Sequence, residues 1–323
     1  MPEIRLIQMT KNIEPDWRAK NIGFIGLGLM GVPMIRNLCA TGANIYVWNR
    51  SSATAKEFAK EQKNVTVCET PAQVAMHCDI TILMVTDAQA VESVVFGESG
   101  VAETCLENCL VIDMGTTSVI KTRTFAEKLK KMDRYWLDAP VSGGTTAAED
   151  GTLTIMAGGA ADTFDRALPT LQILGDRITH VGEVGAGQIA KSANQMIVGL
   201  TIGAVAEAFA LARHSGVDPA KIREALFGGF AHSRILELHG ERMLTEDFNP
   251  RAKCSIQRKD IAEAMELAAS VNLRLPSLST NMKLWDLMIE NDWAELDHSA
   301  LLLAIDPQWN LSLIHISEPT RPY

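Results

Sequence analysis

The chain has 323 residues, of which 47% are hydrophobic and 21% charged, enough for two domains with sizeable cores and unlike a disordered chain. A formal net charge of -9 with no basic arm excludes non-specific binding to nucleic acid or to an anionic membrane surface. One positive pocket could still take an anionic small molecule.

Residues 1–20, MPEIRLIQMTKNIEPDWRAK, read as an N-terminal extension. They lack the apolar region of a signal peptide, and Glu3, Glu14 and Asp16 argue against a mitochondrial transit peptide. From Asn21 the chain alternates strand and helix. NIGFIGL is a strand and Gly28 to Ala40 a helix; NIYVWN and SATAKEFAKEQ repeat the pair. VTVCE, DITILMV and CLVIDMG follow as strands with helical stretches between them, then YWLDAP, TLTIMAGG, the helix FDRALPTLQIL and ITHVGEVG. Short apolar runs alternating with helical periods predict a parallel sheet with helices on both faces. From Gly185 only helices remain: the segment to Gly216, then DPAKIREAL, SRILELHGERML, KDIAEAMELAASV, SLSTNMKLWDLMIE and a last one near HSALLLAI. The fold expected is an α/β Rossmann-type dinucleotide-binding domain over 21–184. A long interdomain helix joins it to an all-α domain over 185–306, which carries substrate and dimerisation surfaces.

Gly26-Leu27-Gly28-Leu29-Met30-Gly31 fits G-x-G-x-x-G directly after a strand and at a helix start. The glycines permit a tight turn, a close approach of backbone to pyrophosphate, and close packing of helix on strand; the helix N-terminus offers N–H donors to the phosphates. The second strand ends in Asn49-Arg50-Ser51, with no acid for a ribose 2′-hydroxyl. Arg50 can pair a 2′-phosphate and Ser51 can donate a hydrogen bond, so NADP is the expected cofactor, with NAD as the second choice. Met84-Val85-Thr86 and Thr116, at later strand ends, face the same cleft. Thr116 reads equally as a helix N-cap.

The segment from Gly187 to Ala212 contains only two charged residues, Lys191 and Glu207. A lysine in such company is drawn out of water, which lowers its pKa and lets it exchange protons; the plain alternative is a lysine snorkelling at a helix start. Asn194 and Gln195 share its helix face. Its glycine and alanine content makes this a buried core helix rather than a membrane span. In Asp138-Ala139-Pro140-Val141-Ser142-Gly143-Gly144 a strand ends at proline, and small residues expose backbone N–H groups suited to a carboxylate. The six cysteines, Cys39, Cys68, Cys78, Cys105, Cys109 and Cys254, read as free thiols of a reducing compartment, hence a cytoplasmic protein. Cys105 and Cys109 have the spacing of a metal pair but no histidine near them, and no metal is expected.

FIGLGLMG, DAPVSGG, GTLTIMAGG, GAGQIAKSANQ and QRKD fall, in this order, as in the β-hydroxyacid dehydrogenases (the 3-hydroxyisobutyrate dehydrogenase family), which the chain resembles from about Asn21 to Asp306. The resemblance implies that Lys191 is the catalytic acid/base and that Asn194 orients it or the substrate. It implies that Ser142, Gly143 and Gly144 hold the substrate carboxylate, and that Lys259 closes over cofactor and substrate with Asp260 beside it. GGFAHSRILELHGERM, LDHSAL and the Asn-Gln after the lysine resemble the branch that reduces tartronate semialdehyde to D-glycerate. Siblings acting on glyoxylate, succinic semialdehyde or 3-hydroxyisobutyrate are the alternative, and a non-catalytic NADP-binding interaction module is another. Lys191 counts against an imine reductase. A small semialdehyde or hydroxy acid is the expected partner, in a homo-dimer or homo-tetramer. Ala252, Gly115 and Ile120 depart from the family's usual residues, and the tail 307–323, ending WNLSLIHISEPTRPY from Trp309, matches no part of it and resembles translated adapter sequence.

Overall fold

A computed structural model describes residues 16–309. In chain order, a 3-10 turn at Trp17–Ala19 precedes β1 (Asn21–Ile25), α1 (Gly31–Ala40), β2 (Asn44–Trp48), α2 (Ser52–Lys60), β3 (Val65–Val67), α3 (Pro71–Ala75), β4 (Ile80–Leu83), α4 (Ala88–Phe96), α5 (Val101–Thr104), β5 (Leu110–Asp113) and α6 (Val119–Lys130). Next come β6 (Tyr135–Asp138), β7 (Val141–Ser142), α7 (Gly144–Glu149), β8 (Thr154–Gly158), α8 (Ala161–Leu174) and β9 (Arg177–Gly182). The rest is helical: α9 (Ala186–His214), α10 (Pro219–Leu226), α11 (Arg234–Thr245), α12 (Cys254–Ser270), α13 (Pro276–Glu290), a 3-10 turn at His298–Leu301 and α14 (Leu302–Ile305). The chain forms two compact units; the first ends at Lys191 and the second begins at Ser192.

The first unit is built on a nine-stranded sheet in the order β3-β2-β1-β4-β5-β6-β8-β7, with β9 on the free side of β8. The six strands from β3 to β6 are parallel, as expected. The sheet is not parallel throughout, however: β8 runs antiparallel to both β6 and β7 and parallel to β9. β6 and β7 run in the same sense on either side of Pro140, and the reversal falls between β7 and β8, in the segment 143–153 that carries the short helix α7. Alternate strand residues serve opposite faces. Phe24, Ile82, Ile112 and Leu137 pack with Leu38 of α1 and Leu171 of α8. Ile25, Leu83, Val111 and Trp136 pack with Val91 of α4 and Phe125 of α6. Both faces are covered, which is why these strands read as unbroken apolar runs; each buried large side chain contributes roughly 1.5–3 kcal/mol.

The second unit is all helical. Ile202, Ala206 and Phe209 of α9 pack with Leu236, Ile261, Trp285 and Leu301. Gly199 and Gly203 set the spacing: a Cβ at Gly199 would lie 2.8 Å from Gln257 Nε2 of α12, and one at Gly203 2.7 Å from Asn281 Nδ2 of α13. α9 is long and apolar enough to cross a membrane by length and composition alone. Through these glycines it packs closely against α12 and α13.

Several boundaries differ from the sequence reading. α1 starts at Gly31 rather than Gly28, because Gly26 takes φ +107° and the loop runs on to Met30 before the helix closes. α12 starts at Cys254, so Lys259 sits inside a helix rather than at its start. Ser118, not Thr116, occupies the N-cap position of α6, without a side-chain capping bond. Of the segments set apart at the ends, 1–15 and 310–323 lie outside the described residues. Trp309, at the start of the unmatched stretch, is buried in the helical core and donates from Nε1 to Met243 O at 3.2 Å.

Candidate active site

In the first unit the carboxyl ends of β1, β2, β4, β5 and β6 each carry a segment singled out above. The Gly26–Gly31 turn follows β1 and opens α1. Gly26 cannot carry a side chain: its backbone is left-handed, and a Cβ there would collide with the main chain at Met84. Gly28 is different, since nothing lies within 4 Å of where its Cβ would be. An open cradle at the mouth of a helix N-terminus fits a pyrophosphate. The turn is braced from β2: Leu27 N donates to Asn49 Oδ1 at 2.9 Å, and Asn49 Nδ2 donates to Ser51 O at 3.1 Å. Asn49 therefore shapes the loop with both ends of its side chain. Arg50, Ser51 and Leu29 are exposed, and Met30 is half-buried. Met84 and Val85 follow β4 half-buried, and Thr86 Oγ1 donates to Asp87 Oδ2 at 3.0 Å. Thr116 is half-buried after β5.

Asp138, at the end of β6, was named only as the start of a motif, yet it organises the site. Its Oδ1 accepts from Gly185 N at 2.7 Å and its Oδ2 from Gln188 N at 2.9 Å. These are the otherwise orphaned N–H groups at the start of α9, so a residue 47 positions upstream of Gly185 caps that helix. Burial pushes the Asp138 carboxyl up to about 6, against the opposing pull of these N–H groups. Gly158 and Gly187 leave room for it; a Cβ on either would stand 2.8 or 2.9 Å from Asp138 Oδ2. Gln188, fully buried, adds a second tie. Its Oε1 accepts from Thr117 N at 3.0 Å and its Nε2 donates to Gly115 O at 2.8 Å. Lys191 lies three residues further along α9 and is 8% exposed.

Asp138 is also the base of the second loop. Four residues on, half-buried Ser142 ends β7 and is followed by exposed Gly143 and Gly144 with φ of +131° and +70°. Positive φ at both positions is backbone that favours glycine, and it leaves this exposed main chain uncovered by any side chain.

In the second unit Asn194 and Lys259 are joined by a chain of polar contacts. Asn194 Nδ2 donates to Gln195 Oε1 at 2.8 Å; Gln195 Nε2 donates to Asp260 Oδ2 at 2.6 Å and to Gln257 Oε1 at 3.2 Å. Lys259 Nζ pairs with Asp260 at 3.0 Å and Glu263 at 3.4 Å. Burial opposes the Lys259 charge, but the two carboxylates outweigh it and raise its pKa, so it is a cation at neutral pH. The role of Gln195 was missed because α12, its partner, lies 62 residues away at Gln257.

Among the described residues, one set of potential metal donors converges: His239, Asp297 and His298, with ligand atoms within 4.8 Å. The imidazole Nε2 atoms already share a hydrogen bond at 2.6 Å. Asp297 accepts from Arg251 N, Ala252 N and Ser299 N and Oγ. This carboxylate braces a turn.

Comparison with known proteins fits this geometry. Residues 21–182 match the NAD-binding domain of 6-phosphogluconate dehydrogenase, and residues 185–305 match the NAD-binding region of NADP-dependent 3-hydroxyisobutyrate dehydrogenase. The chain is 42% identical over 292 residues to the 2-hydroxy-3-oxopropionate reductase of Escherichia coli (strain K12), covering 90% of this chain and 99% of that one. It is 31% identical to glyoxylate/succinic semialdehyde reductase 1 of Arabidopsis thaliana, over 88% of this chain and 98% of that one. The structure of Mycobacterium tuberculosis 3-hydroxyisobutyrate dehydrogenase with L-serine superposes with a TM-score of 0.80 at 28% identity, covering 89% and 99% of the two chains. The chain belongs to the 3-hydroxyisobutyrate dehydrogenase family of β-hydroxyacid dehydrogenases and is an NAD(P)-dependent oxidoreductase.

Proposed function

We propose that this protein reduces tartronate semialdehyde (2-hydroxy-3-oxopropionate) to D-glycerate, reversibly, with NADPH as the preferred cofactor. The observation that carries the reading is the Asp138 clamp, from which both the Ser142–Gly144 loop and the start of the Lys191 helix depart. The E. coli reductase, at 42% identity over 99% of its length, supports the choice of substrate.

The bound cofactor supplies the hydride. Main-chain N–H groups from Gly26 to Gly31 would hold its pyrophosphate, Met84, Val85, Thr86 and Thr116 would contact it from the later strand ends, and Asn49, Arg50 and Ser51 would hold its adenosine ribose. Ser142, Gly143 and Gly144 bind the substrate carboxylate, so orientation contributes to the rate. The Lys191 ammonium stabilises the developing alkoxide and delivers a proton to that oxygen; in the oxidative direction it takes the proton back. Asn194 orients the substrate, and cationic Lys259 contributes to holding cofactor and substrate. We place the protein in the cytoplasm as a homo-oligomer, since all six thiols are free and buried while Ile197, Leu211 and Phe230 are exposed.

The test is steady-state kinetics on a panel of tartronate semialdehyde, glyoxylate, succinic semialdehyde and 3-hydroxyisobutyrate with both cofactors. The reading requires the highest kcat/KM for tartronate semialdehyde with NADPH. A higher value for another member of the panel transfers the assignment to that sibling activity.

A further inference from the structure

Cys105 and Cys109 take no part in the site above. Cys105 ends α5, Leu106, Glu107 and Asn108 form an exposed turn, and Cys109 leads into β5. Each cysteine is 2% exposed, while the three residues between them are exposed. Two guanidiniums hold the turn. Arg134 Nε donates to Cys105 Sγ at 2.9 Å, and its Nη2 donates to Cys105 O at 2.8 Å. Arg166 of α8 donates to Asn108 O at 2.6 Å. The two thiols influence each other: Cys109 is the largest influence lowering the Cys105 pKa, and Arg134 adds to it against the opposing effect of burial. The same interaction and burial raise Cys109. Elsewhere burial acts alone or dominates, pushing Cys39 up to about 11 and Cys254 to about 12. A sulfur that accepts from a guanidinium at 2.9 Å beneath an exposed turn, with a second cysteine at the far end of that turn, is the setting of a reactive thiolate.

We propose that Cys105 and Cys109 form a dithiol switch oxidised by hydroperoxides, with Cys105 as the attacking sulfur and Cys109 as the resolving one. The Cys105 thiolate attacks the peroxide, its S–O bond forming as the O–O bond breaks. The leaving hydroxide takes up the proton lost by the Cys105 thiol and departs as water. Cys109 then attacks the Cys105 sulfenic acid, forming the S–S bond, and its thiol proton leaves with the hydroxyl as a second water. Each sulfur is oxidised by one electron and the peroxide is reduced by two. Because the turn must open for the reagent to enter, the reaction reports local rather than global unfolding.

The full chain is treated with stoichiometric hydrogen peroxide, quenched, alkylated in denaturant and analysed by peptide mass spectrometry. We expect a peptide linking Cys105 to Cys109, lighter by two hydrogen atoms and restored by dithiothreitol. In Cys109→Ser, Cys105 is trapped as a dimedone adduct; in Cys105→Ser, Cys109 stays reduced. A measurement without variants accompanies these: brief iodoacetamide labelling of the native wild type, where Cys105 should react at least about tenfold faster than Cys39, Cys78 or Cys254. Absence of the linked peptide, or Cys105 labelling no faster than those three thiols, overturns the proposal. Neither readout uses reductase activity.

Discussion

The Asp138 carboxylate accepts the main-chain N–H of Gln188 at 2.9 Å, while the Gln188 side chain reaches back to Gly115 O at 2.8 Å. The ends of β5 and β6 and the first turn of α9 are thereby locked in one hydrogen-bonded unit, one helical turn before Lys191. A side chain that must exchange a proton with a small substrate needs such a fixed base.

The clamp has a pH signature. Asp138 is held at about 6 in the folded protein, above the roughly 3.9 of an unfolded aspartate. The folded state therefore binds this proton more tightly. The linked stability is fully present below the unfolded value and is lost as pH rises through about 6. The loss is on the order of 3 kcal/mol. Asp138→Asn removes the titration and leaves an N–H group of α9 facing an amide NH2. We expect it to be less stable than wild type at acid pH, with the gap narrowing between about pH 4 and about pH 7. Urea unfolding at a series of pH values measures this. Parallel stability curves for the two proteins would contradict the assignment.

How much of this arrangement was legible beforehand depended on the range of the interaction. The Gly26 loop and its strand–turn–helix setting are local, and both α1 and the exposed Arg50 lie within a few residues of the expected places. Lys191 stood out because one charge in a long apolar helix is costly unless it is used. Asp138 did not stand out, because a helix cap supplied from 47 residues away leaves no spacing signal at the helix itself; the visible hint was an acid at a strand end. The antiparallel β8 was hidden for a related reason. Packed on the sheet, it is as apolar as its parallel neighbours, and nothing in its own residues distinguishes the two directions; the reversal is made in the 143–153 segment before it.

The Gln195 bridge can be tested by shortening it. Gln195→Asn retains the amide but, lacking one methylene, cannot span the 2.6 Å contact to Asp260 in place. A hydrogen bond to a charged group contributes about 1.5–3 kcal/mol. If the bridge positions Lys259, the KM for substrate or cofactor should rise roughly tenfold, with kcat reduced less. Equal KM values for variant and wild type, beside an unchanged melting temperature, would show that the bridge positions nothing.

Arg50 follows β2 exposed, with no acid beside it in the Asn49-Arg50-Ser51 turn. If it pairs the 2′-phosphate, Arg50→Ala should raise the KM for NADPH roughly tenfold to a hundredfold, as the loss of a charge-assisted pair predicts. The KM for NADH should change little. Initial-rate measurements with both cofactors decide, and an equal effect on the two would remove Arg50 from the cofactor site.

Lys191 carries the chemical assignment. It is buried, three residues beyond Gln188 on a helix start tied at Asp138. Lys191→Met keeps the length and packing of the side chain but removes the proton. General acid–base catalysis accounts for about a hundred- to ten-thousand-fold in rate, and kcat should fall by that order. Cofactor affinity should hold, because the pyrophosphate is bound at the Gly26 loop, and a fluorescence titration of NADPH measures it separately. Lys191→Arg should fail as well, since a guanidinium does not release a proton near neutral pH. The pair of variants separates charge from proton transfer. If arginine restored the rate, Lys191 would act as a fixed positive charge on the alkoxide. If the methionine variant kept more than about a tenth of wild-type kcat, proton delivery would have to come from another group.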